Sequence, residues 1–296
     1  MLYLTAICDG LSRLRNDMLI VTYNIQWGKG RDDRIDLRRI ADAVSGADVI
    51  ALQEVERHWR DQEFSDQALR LSELIPGYHW IYGAAVDLGS PVRNLRRQIG
   101  NMVLSRYAIT SARHLPLPAR PVQGHVNDQQ QMIEAVIGAG AGFRLYNTHL
   151  NYLSPGQRSE QLDLALRFIA EAPERGGAIT MPGRESLGPE DDWIVLPGGK
   201  PPTMPQPAIF AGDFNCGPES AEFRTITEAG FSDCLARAGL GPKQGVTFPG
   251  GGGEPPQRLD HLFLSPELAP HCKRAWIDHI AEGSDHQPVW LELQWP

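Results

Sequence analysis

Most hydrophobic residues of this chain fall into short runs of strand length, separated by glycine, proline and polar residues. Continuous apolar runs such as residues 49–52 predict strands buried on both faces. Near the end of the chain Val289, Leu291 and Leu293 occupy alternate positions, which predicts a half-buried strand. We predict strands over residues 19–28, 48–55, 101–105, 132–137, 143–149, 208–212, 259–264 and 288–294.

Three further segments have the periodicity of amphipathic helices. In the first, apolar residues recur at the i, i+3, i+4 and i+7 positions from Leu37, and Gly46 ends the pattern. The second runs from Asp66, a favourable N-cap, to about residue 76. The third begins at Ser154, which is followed by a proline and by Gln157, and this order predicts a capping box.

The proportion of strands to helices favours an α+β fold in which two sheets pack together and helices cover them outside. Residues 1–17 are expected to form an N-terminal extension and residues 18–296 a single domain. Residues 173–207 are crowded with proline and glycine, and strand patterns resume after them. We therefore expect a long surface insertion there, not a linker between domains.

Composition and charge limit the possible partners. The 296 residues carry a formal net charge of −8, which disfavours, without excluding, a protein that grips long nucleic acids. Arg93, Arg96 and Arg97 are the best candidate basic patch, although a solvated loop is the favoured interpretation.

The sequence also predicts a cytoplasmic protein. Its apolar runs are too short to span a membrane, and residues 1–20 lack the continuous apolar region of a signal peptide. The four cysteines are widely spaced, which is typical of a reduced protein without structural zinc or a disulfide framework.

Polar residues with potential for phosphoryl transfer follow or precede the predicted strands, where a rigid scaffold presents functional groups. They are Asn24, Glu54, His149, Asp213, Asn215, Asp260, Asp285 and His286.

Taken singly, most of these residues have a structural explanation. Asn24 could cap a turn, Glu54 could be a solvated carboxylate at a strand end, and His149 could be a hydrogen-bonded core histidine. Asp213 could form an Asx-turn with the residues after it. Asp260 lies among apolar neighbours, where a carboxylate needs a partner, and an arginine is the ordinary one.

Taken together, seven strings in order resemble the successive motifs of the endonuclease/exonuclease/phosphatase family, whose fold is DNase I-like. They span residues 23–289 and are Tyr23-Asn24-Ile25, Leu52-Gln53-Glu54-Val55, Gly100-Asn101-Met102-Val103-Leu104-Ser105-Arg106, Asn147-Thr148-His149-Leu150, Gly212-Asp213-Phe214-Asn215, Arg258-Leu259-Asp260 and Ser284-Asp285-His286-Gln287-Pro288-Val289. The resemblance implies a four-layer α/β-β-α sandwich with its active site at one edge, between the two sheets.

The resemblance also implies a role for each residue. Glu54 would be the principal metal ligand, assisted by Asn24 and Asp285, and the ion would be Mg²⁺ or Mn²⁺. His286 would be the general base, oriented by Asp260.

The remaining three residues would act on the reactants. Asp213 and Asn215 would orient the nucleophile and the phosphoryl oxygens, while His149 would donate a hydrogen bond to a phosphoryl oxygen. The implied activity is hydrolysis of a phosphoester by a phosphodiesterase, nuclease or phosphatase.

Several alternatives stay open at this point. The substrate could be a nucleic acid, a small molecule or a lipid, and the chain could be a catalytically silent binding or scaffold module. Trp27 and Trp193 could stack on a base or a lipid-like group, or pack on the core. The chain departs from the family at His261, where members often have an aromatic residue, and in the long 173–207 insertion.

Overall fold

The computed structural model describes residues 17–59, 65–194, 196, 199–250 and 253–295. Its helices and strands follow one another in this order: β1 Asp17–Asn24, α1 Leu37–Ala43, β2 Val49–Arg57, α2 Gln67–Leu74, β3 His79–Gly89, β4 Arg96–Ser105, β5 Ile109–Pro116, β6 Gln131–Ile137, β7 Phe143–His149, α3 Pro155–Arg175, β8 Ala208–Asp213, α4 Ala221–Glu228, β9 Ser232–Asp233, α5 Cys234–Arg237, β10 Asp260–Leu264, β11 Cys272–Ile277 and β12 Val289–Gln294.

Most of the predicted N-terminal extension lies outside the described residues, and so does Cys8. Cys216, Cys234 and Cys272 are free thiols. No helix in the described part of the chain combines the length and apolar character needed to cross a membrane.

The strands form two six-stranded mixed sheets. The first sheet has the order β11-β12-β1-β2-β4-β3 and the second the order β5-β6-β7-β8-β10-β9. In each sheet one central pair is parallel, β1 with β2 and β7 with β8. The antiparallel neighbours β12 and β10 therefore begin at the edge where β1 and β8 end. One edge of the sandwich thus collects the ends of several strands.

Three hydrophobic cores hold four layers together. Ile20 and Leu291 of the first sheet face Leu145 and Ile209 of the second in the core between the sheets. A second core packs α1 and α2 on the outside of the first sheet, and a third packs α3 and α4 on the outside of the second. The predicted α/β-β-α sandwich is confirmed.

All the predicted strands are present, but several elements were not predicted. Strands β3 and β5 are only partly buried, and their registers shift at residues 84–86 and 109–111, so neither carries a regular alternation of apolar residues. The short β9, together with β11, α4 and α5, also lacked a clear pattern. The first strand ends at Asn24 and not at Gly28, because residues 26–28 form a 3₁₀ turn in which Trp27 has φ 47°.

Two details of α3 differ from prediction. Ser154 caps the helix by accepting a hydrogen bond from the backbone N–H of Gln157 at 3.3 Å. The Gln157 side chain does not complete the capping box; its Oε1 accepts from the backbone N–H of Arg120 at 3.0 Å. The helix continues through Pro173 to Arg175, so residues 173–175, predicted as part of the surface insertion, belong to α3.

One glycine is required where the central strands of the second sheet pass each other. Gly212 has φ 144°, and a Cβ atom built on it would lie 1.9 Å from the Thr148 carbonyl oxygen. Only a residue without a side chain fits this approach. It brings the ends of β7 and β8, with His149 and Asp213 in register, side by side.

Candidate active site

The eight residues singled out in the sequence meet at the edge of the sandwich where these strands end. Asn24 ends β1 and Glu54 lies in β2, while His149 and Asp213 end β7 and β8. Asp260 begins β10, and Asp285 and His286 precede β12. The parallel and antiparallel pairings described above explain why residues far apart in sequence converge here.

Asn24 bridges the two sheets through its side-chain amide. Its Nδ2 donates to Glu54 Oε1 and to Asp213 Oδ2, each at 2.9 Å. Its Oδ1 accepts from the backbone N–H of Gln26 at 3.0 Å, so Asn24 also forms the predicted turn cap. In this orientation its nitrogen, not its oxygen, faces the carboxylates.

The backbone is distorted at Glu54. The β2–β4 register shifts between Leu52 and Val55, and Glu54 within this bulge has φ 58°. A positive φ is unfavourable for a residue with a long side chain, and such strain tends to occur at functional sites. The bulge turns the carboxylate toward the strand ends of the second sheet, where its Oε1 lies 4.0 Å from His149 Nδ1.

A buried histidine–carboxylate pair forms the floor of the site. His286 Nδ1 lies 2.8 Å from Asp260 Oδ2, and both side chains are almost fully buried. The partner of Asp260 is therefore a histidine and not the arginine considered from sequence. The other ring nitrogen, Nε2, lies 3.7 Å from Asp213 Oδ2. If Nδ1 carries the proton that Asp260 accepts, Nε2 of the neutral ring can act as an acceptor.

His149 and Asn215 form a second polar pair. Asn215 Nδ2 lies 3.0 Å from His149 Nε2 and also donates to the Leu150 carbonyl oxygen at 2.9 Å. Because the amide nitrogen can only donate, this contact assigns the acceptor role to Nε2 and the proton to Nδ1 in neutral His149. The Asx-turn is also present, since the Asn215 backbone N–H donates to Asp213 Oδ1 at 2.9 Å.

Three supporting residues were not predicted as part of the site. Gln26 Nε2 donates to Asp285 Oδ2 at 2.7 Å, and Ser284 Oγ donates to the Asn24 carbonyl oxygen at 2.7 Å. Thr247 Oγ1 accepts from the backbone N–H of Asp260 at 3.1 Å. Ser284 is the first residue of the last string that resembles a family motif. Thr247 belongs to a segment that contains none of these strings.

The carboxylates and imidazoles perturb one another. Burial raises the pKa of Glu54 and of Asp285 above their usual ranges, although nearby histidines and hydrogen bonds oppose the rise. Burial would lower the pKa of His286, but the charges of Asp260, Asp213 and Asp285 and the hydrogen bond to Asp260 raise it to about 10. Without another cation, His286 thus holds a proton that offsets the surrounding negative charge.

Two groups of side chains could hold a cation. The buried Asp213, Asp260 and His286 have potential ligand atoms within 4.8 Å of one another. In that group, however, Asp260 is already bound to the His286 ring. Glu54 and Asp285 are partly exposed, and their raised pKa values show that their negative charges are poorly stabilised. An oxygen-rich donor set of this kind fits a hard divalent ion.

The charge balance of the site predicts an unusual titration. In metal-free protein His286 should keep its proton through neutral pH and lose it only near pH 10, because three carboxylates surround it. Asp260→Asn should lower this pKa, since the nearest negative charge is removed. NMR titration of the imidazole resonances measures both values, with Glu219→Gln, an exposed carboxylate, as the control. A His286 ring that titrates near pH 6.5 in the wild type would contradict this electrostatic description.

Comparison with solved structures shows the fold in related proteins. A protein of the endonuclease/exonuclease/phosphatase group from Beutenbergia cavernae DSM 12333 has a TM-score of 0.69 at 21% identity, over 94% of this chain and 72% of that one. A mannosyl-6-phosphatase from Bacteroides thetaiotaomicron has a TM-score of 0.63 at 19% identity, over 93% and 99%. A 3′ phosphatase from Neisseria bound to a product DNA hairpin has a TM-score of 0.58 at 18% identity, over 94% and 100%.

No curated protein matches the chain at a significant level. The sequence profile of the endonuclease/exonuclease/phosphatase family, by contrast, matches residues 21–286, a stretch that contains all eight residues of the site. The two packed mixed sheets of the chain agree with that match. The chain belongs to the endonuclease/exonuclease/phosphatase family.

Proposed function

We propose that this protein is a divalent-metal-dependent hydrolase of phosphoester bonds. The observation that carries the proposal is the convergence on Asp213 Oδ2 of three groups: Asn24 Nδ2 at 2.9 Å, His149 Nε2 at 3.6 Å and His286 Nε2 at 3.7 Å. Carboxylates, amides and imidazoles in this arrangement can orient a water molecule, move its proton and donate to phosphoryl oxygens. Family membership supports the same reaction class.

Glu54 and Asp285 would hold the metal ion. Their carboxylates are partly exposed, and burial disfavours their ionised forms. A bound cation would stabilise these ionised forms. Asn24 would join them only if its amide rotates to present Oδ1, because Nδ2 faces Glu54 in the present orientation. The donor chemistry suits Mg²⁺ or Mn²⁺, which when bound polarises the phosphoester and neutralises developing charge.

His286 would act as the general base. Asp260 fixes the ring so that Nδ1 carries a proton and Nε2 is directed toward Asp213. Neutral His286 would accept a proton from the attacking water at Nε2. Because the pKa of His286 is about 10 among unneutralised carboxylates, a cation on Glu54 and Asp285 would also make the neutral base available at lower pH.

The other site residues would position the reactants. Asp213, at the centre of the site, would accept a hydrogen bond from the attacking water. His149 would donate from Nδ1 to a phosphoryl oxygen, and Asn215 would hold it in that tautomer. Phe248 packs against His286 with ring centroids 5.2 Å apart and limits the movement of the base.

The main alternative is a binding module that has lost catalysis. Such a module would be expected to lack some of the polar residues of the site, whereas here all eight are present. Seven of them are linked to one another by hydrogen bonds or close ion-pair contacts, and Asp285 is hydrogen-bonded to Gln26. The mannosyl-6-phosphatase and the DNA 3′ phosphatase show that very different phosphate esters are handled by proteins with this fold.

Loss of the base should abolish most turnover without unfolding the protein. We expect His286→Ala to reduce kcat about 10²-fold or more, the usual size of general-base loss. The assay is hydrolysis of bis-p-nitrophenyl phosphate in Mg²⁺, with thermal unfolding as the folding check. His279→Ala is the control. Equal rates for the wild type and His286→Ala would rule out His286 as the base.

Removal of a metal ligand should change the response to metal concentration. We expect Glu54→Gln to raise the Mg²⁺ concentration needed for half-maximal activity by about tenfold or more, because a neutral amide is a poorer ligand than a carboxylate. Chelation with EDTA should abolish wild-type activity, and Mg²⁺ should restore it. Glu73→Gln, on the exposed face of α2, should behave like the wild type. An unchanged Mg²⁺ requirement in Glu54→Gln would exclude this carboxylate as a ligand.

A further inference from the structure

A cavity of about 660 Å³ adjoins the proposed active site. Glu54, His149 and Asn101 line it, and the strands β3 and β4 form one wall. Asp260, Asp285 and His286 are not among the lining residues. A molecule whose phosphate lies against Glu54 and His149 would therefore extend directly into this space.

The wall formed by β3 and β4 is largely apolar, whereas residues 127–130, which also line the cavity, are polar. Val86 and Ile99 face each other across the β3–β4 ladder, and Leu88 continues the same face of β3. Trp27 and Trp59 also line the cavity. Trp193, by contrast, is 77% exposed on the insertion and is not part of this wall.

Exposed apolar side chains also mark the mouth of the cavity. Val126 is 85% exposed, and Tyr152 opposite it donates its hydroxyl hydrogen to the Val126 carbonyl oxygen at 3.0 Å. Leu88 is 51% exposed. Solvent-exposed apolar groups around a concave site are typical of ligand-binding surfaces.

The charge of the lining is unsuited to a polyanion. Among the described residues that form the cavity there is no lysine or arginine, and Asp128 lies there together with Glu54. The candidate basic patch does not compensate, because Arg96 is paired with Asp87 at 2.7 Å and is not among the lining residues. Arg97 is the cross-strand partner of Leu88 but does not line the cavity either. A nucleic acid chain would bring further phosphates toward Asp128, and none of the described lining residues is a lysine or arginine that could receive them.

We propose that this cavity binds the organic part of the substrate, and that this part is an apolar group without negative charge. The inference rests on the proposed function and narrows it to phosphate esters of apolar alcohols, as opposed to polynucleotides. Glu54 and His149 belong both to the site and to the cavity, so the phosphate and the apolar group are recognised on one continuous surface.

Non-hydrolysable phosphonates test the inference by direct binding. We expect butylphosphonate to bind the Mn²⁺-loaded protein at least tenfold more tightly than methylphosphonate in calorimetric titrations, since each fully buried methylene contributes up to about fourfold. The compound 3-phosphonopropionate, of similar size, should bind no more tightly than methylphosphonate, because its carboxylate would face Asp128.

A matched pair of variants locates the binding surface. Leu88→Gln should reduce the ratio of methylphosphonate to butylphosphonate Kd by about threefold or more. Leu69→Gln replaces a leucine of nearly the same exposure, 50%, on α2 outside the cavity and should leave the ratio unchanged.

Two different failures can be told apart. Equal Kd values for the two alkylphosphonates, or no binding of butylphosphonate, would overturn the inference even if bis-p-nitrophenyl phosphate is hydrolysed. If neither Leu88→Gln nor Leu69→Gln changed the ratio of the two Kd values, this cavity would not be the binding surface for the alkyl group. Absence of metal-dependent hydrolysis of any phosphate ester would instead overturn the proposed function.

Discussion

The crowding of four carboxylates at one edge of the sandwich is the constraint on which the rest of the site depends. Glu54, Asp213, Asp260 and Asp285 come from both sheets, and burial alone would make their ionised forms costly. Each has a specific compensation: Asn24 donates to two of them, Gln26 to a third and the His286 ring to the fourth. The positive charge on His286 is part of this balance in the metal-free protein, and the same proton must leave if the ring is to act as a base.

The fold supplies this constraint through its topology. Two central parallel pairs flanked by antiparallel strands bring the ends of β1 and β8 and the starts of β10 and β12 to one edge. The core between the sheets fixes the distance across which Asn24 reaches Asp213. The bulge at Glu54 and the glycine at position 212 are local departures from regular strands, and both serve to bring side chains of different strands into contact.

The sequence predicts the buried part of this structure well and its exposed part poorly. Continuous apolar runs identified β2 and β8 because both of their faces are covered. Strand β3, with one partly exposed face and a bulge, shows no such pattern. The site residues lie at or near strand ends and were predicted as a set. Thr247 and Gln26 support them through contacts that depend on segments brought together only by folding. The Gln157 side chain was predicted to cap its own helix, but it accepts a hydrogen bond from the backbone N–H of Arg120. The local sequence around Gln157 does not determine which of these hydrogen bonds forms.

We propose that these carboxylates gather around a divalent cation held by Glu54 and Asp285. Anomalous diffraction from crystals soaked in Mn²⁺ can locate such an ion. We expect a peak within about 2.3 Å of a carboxylate oxygen of each of these two residues, a distance typical of oxygen ligands. A peak confined to Asp213, Asp260 and His286, or no peak at the strand-end edge, would contradict it.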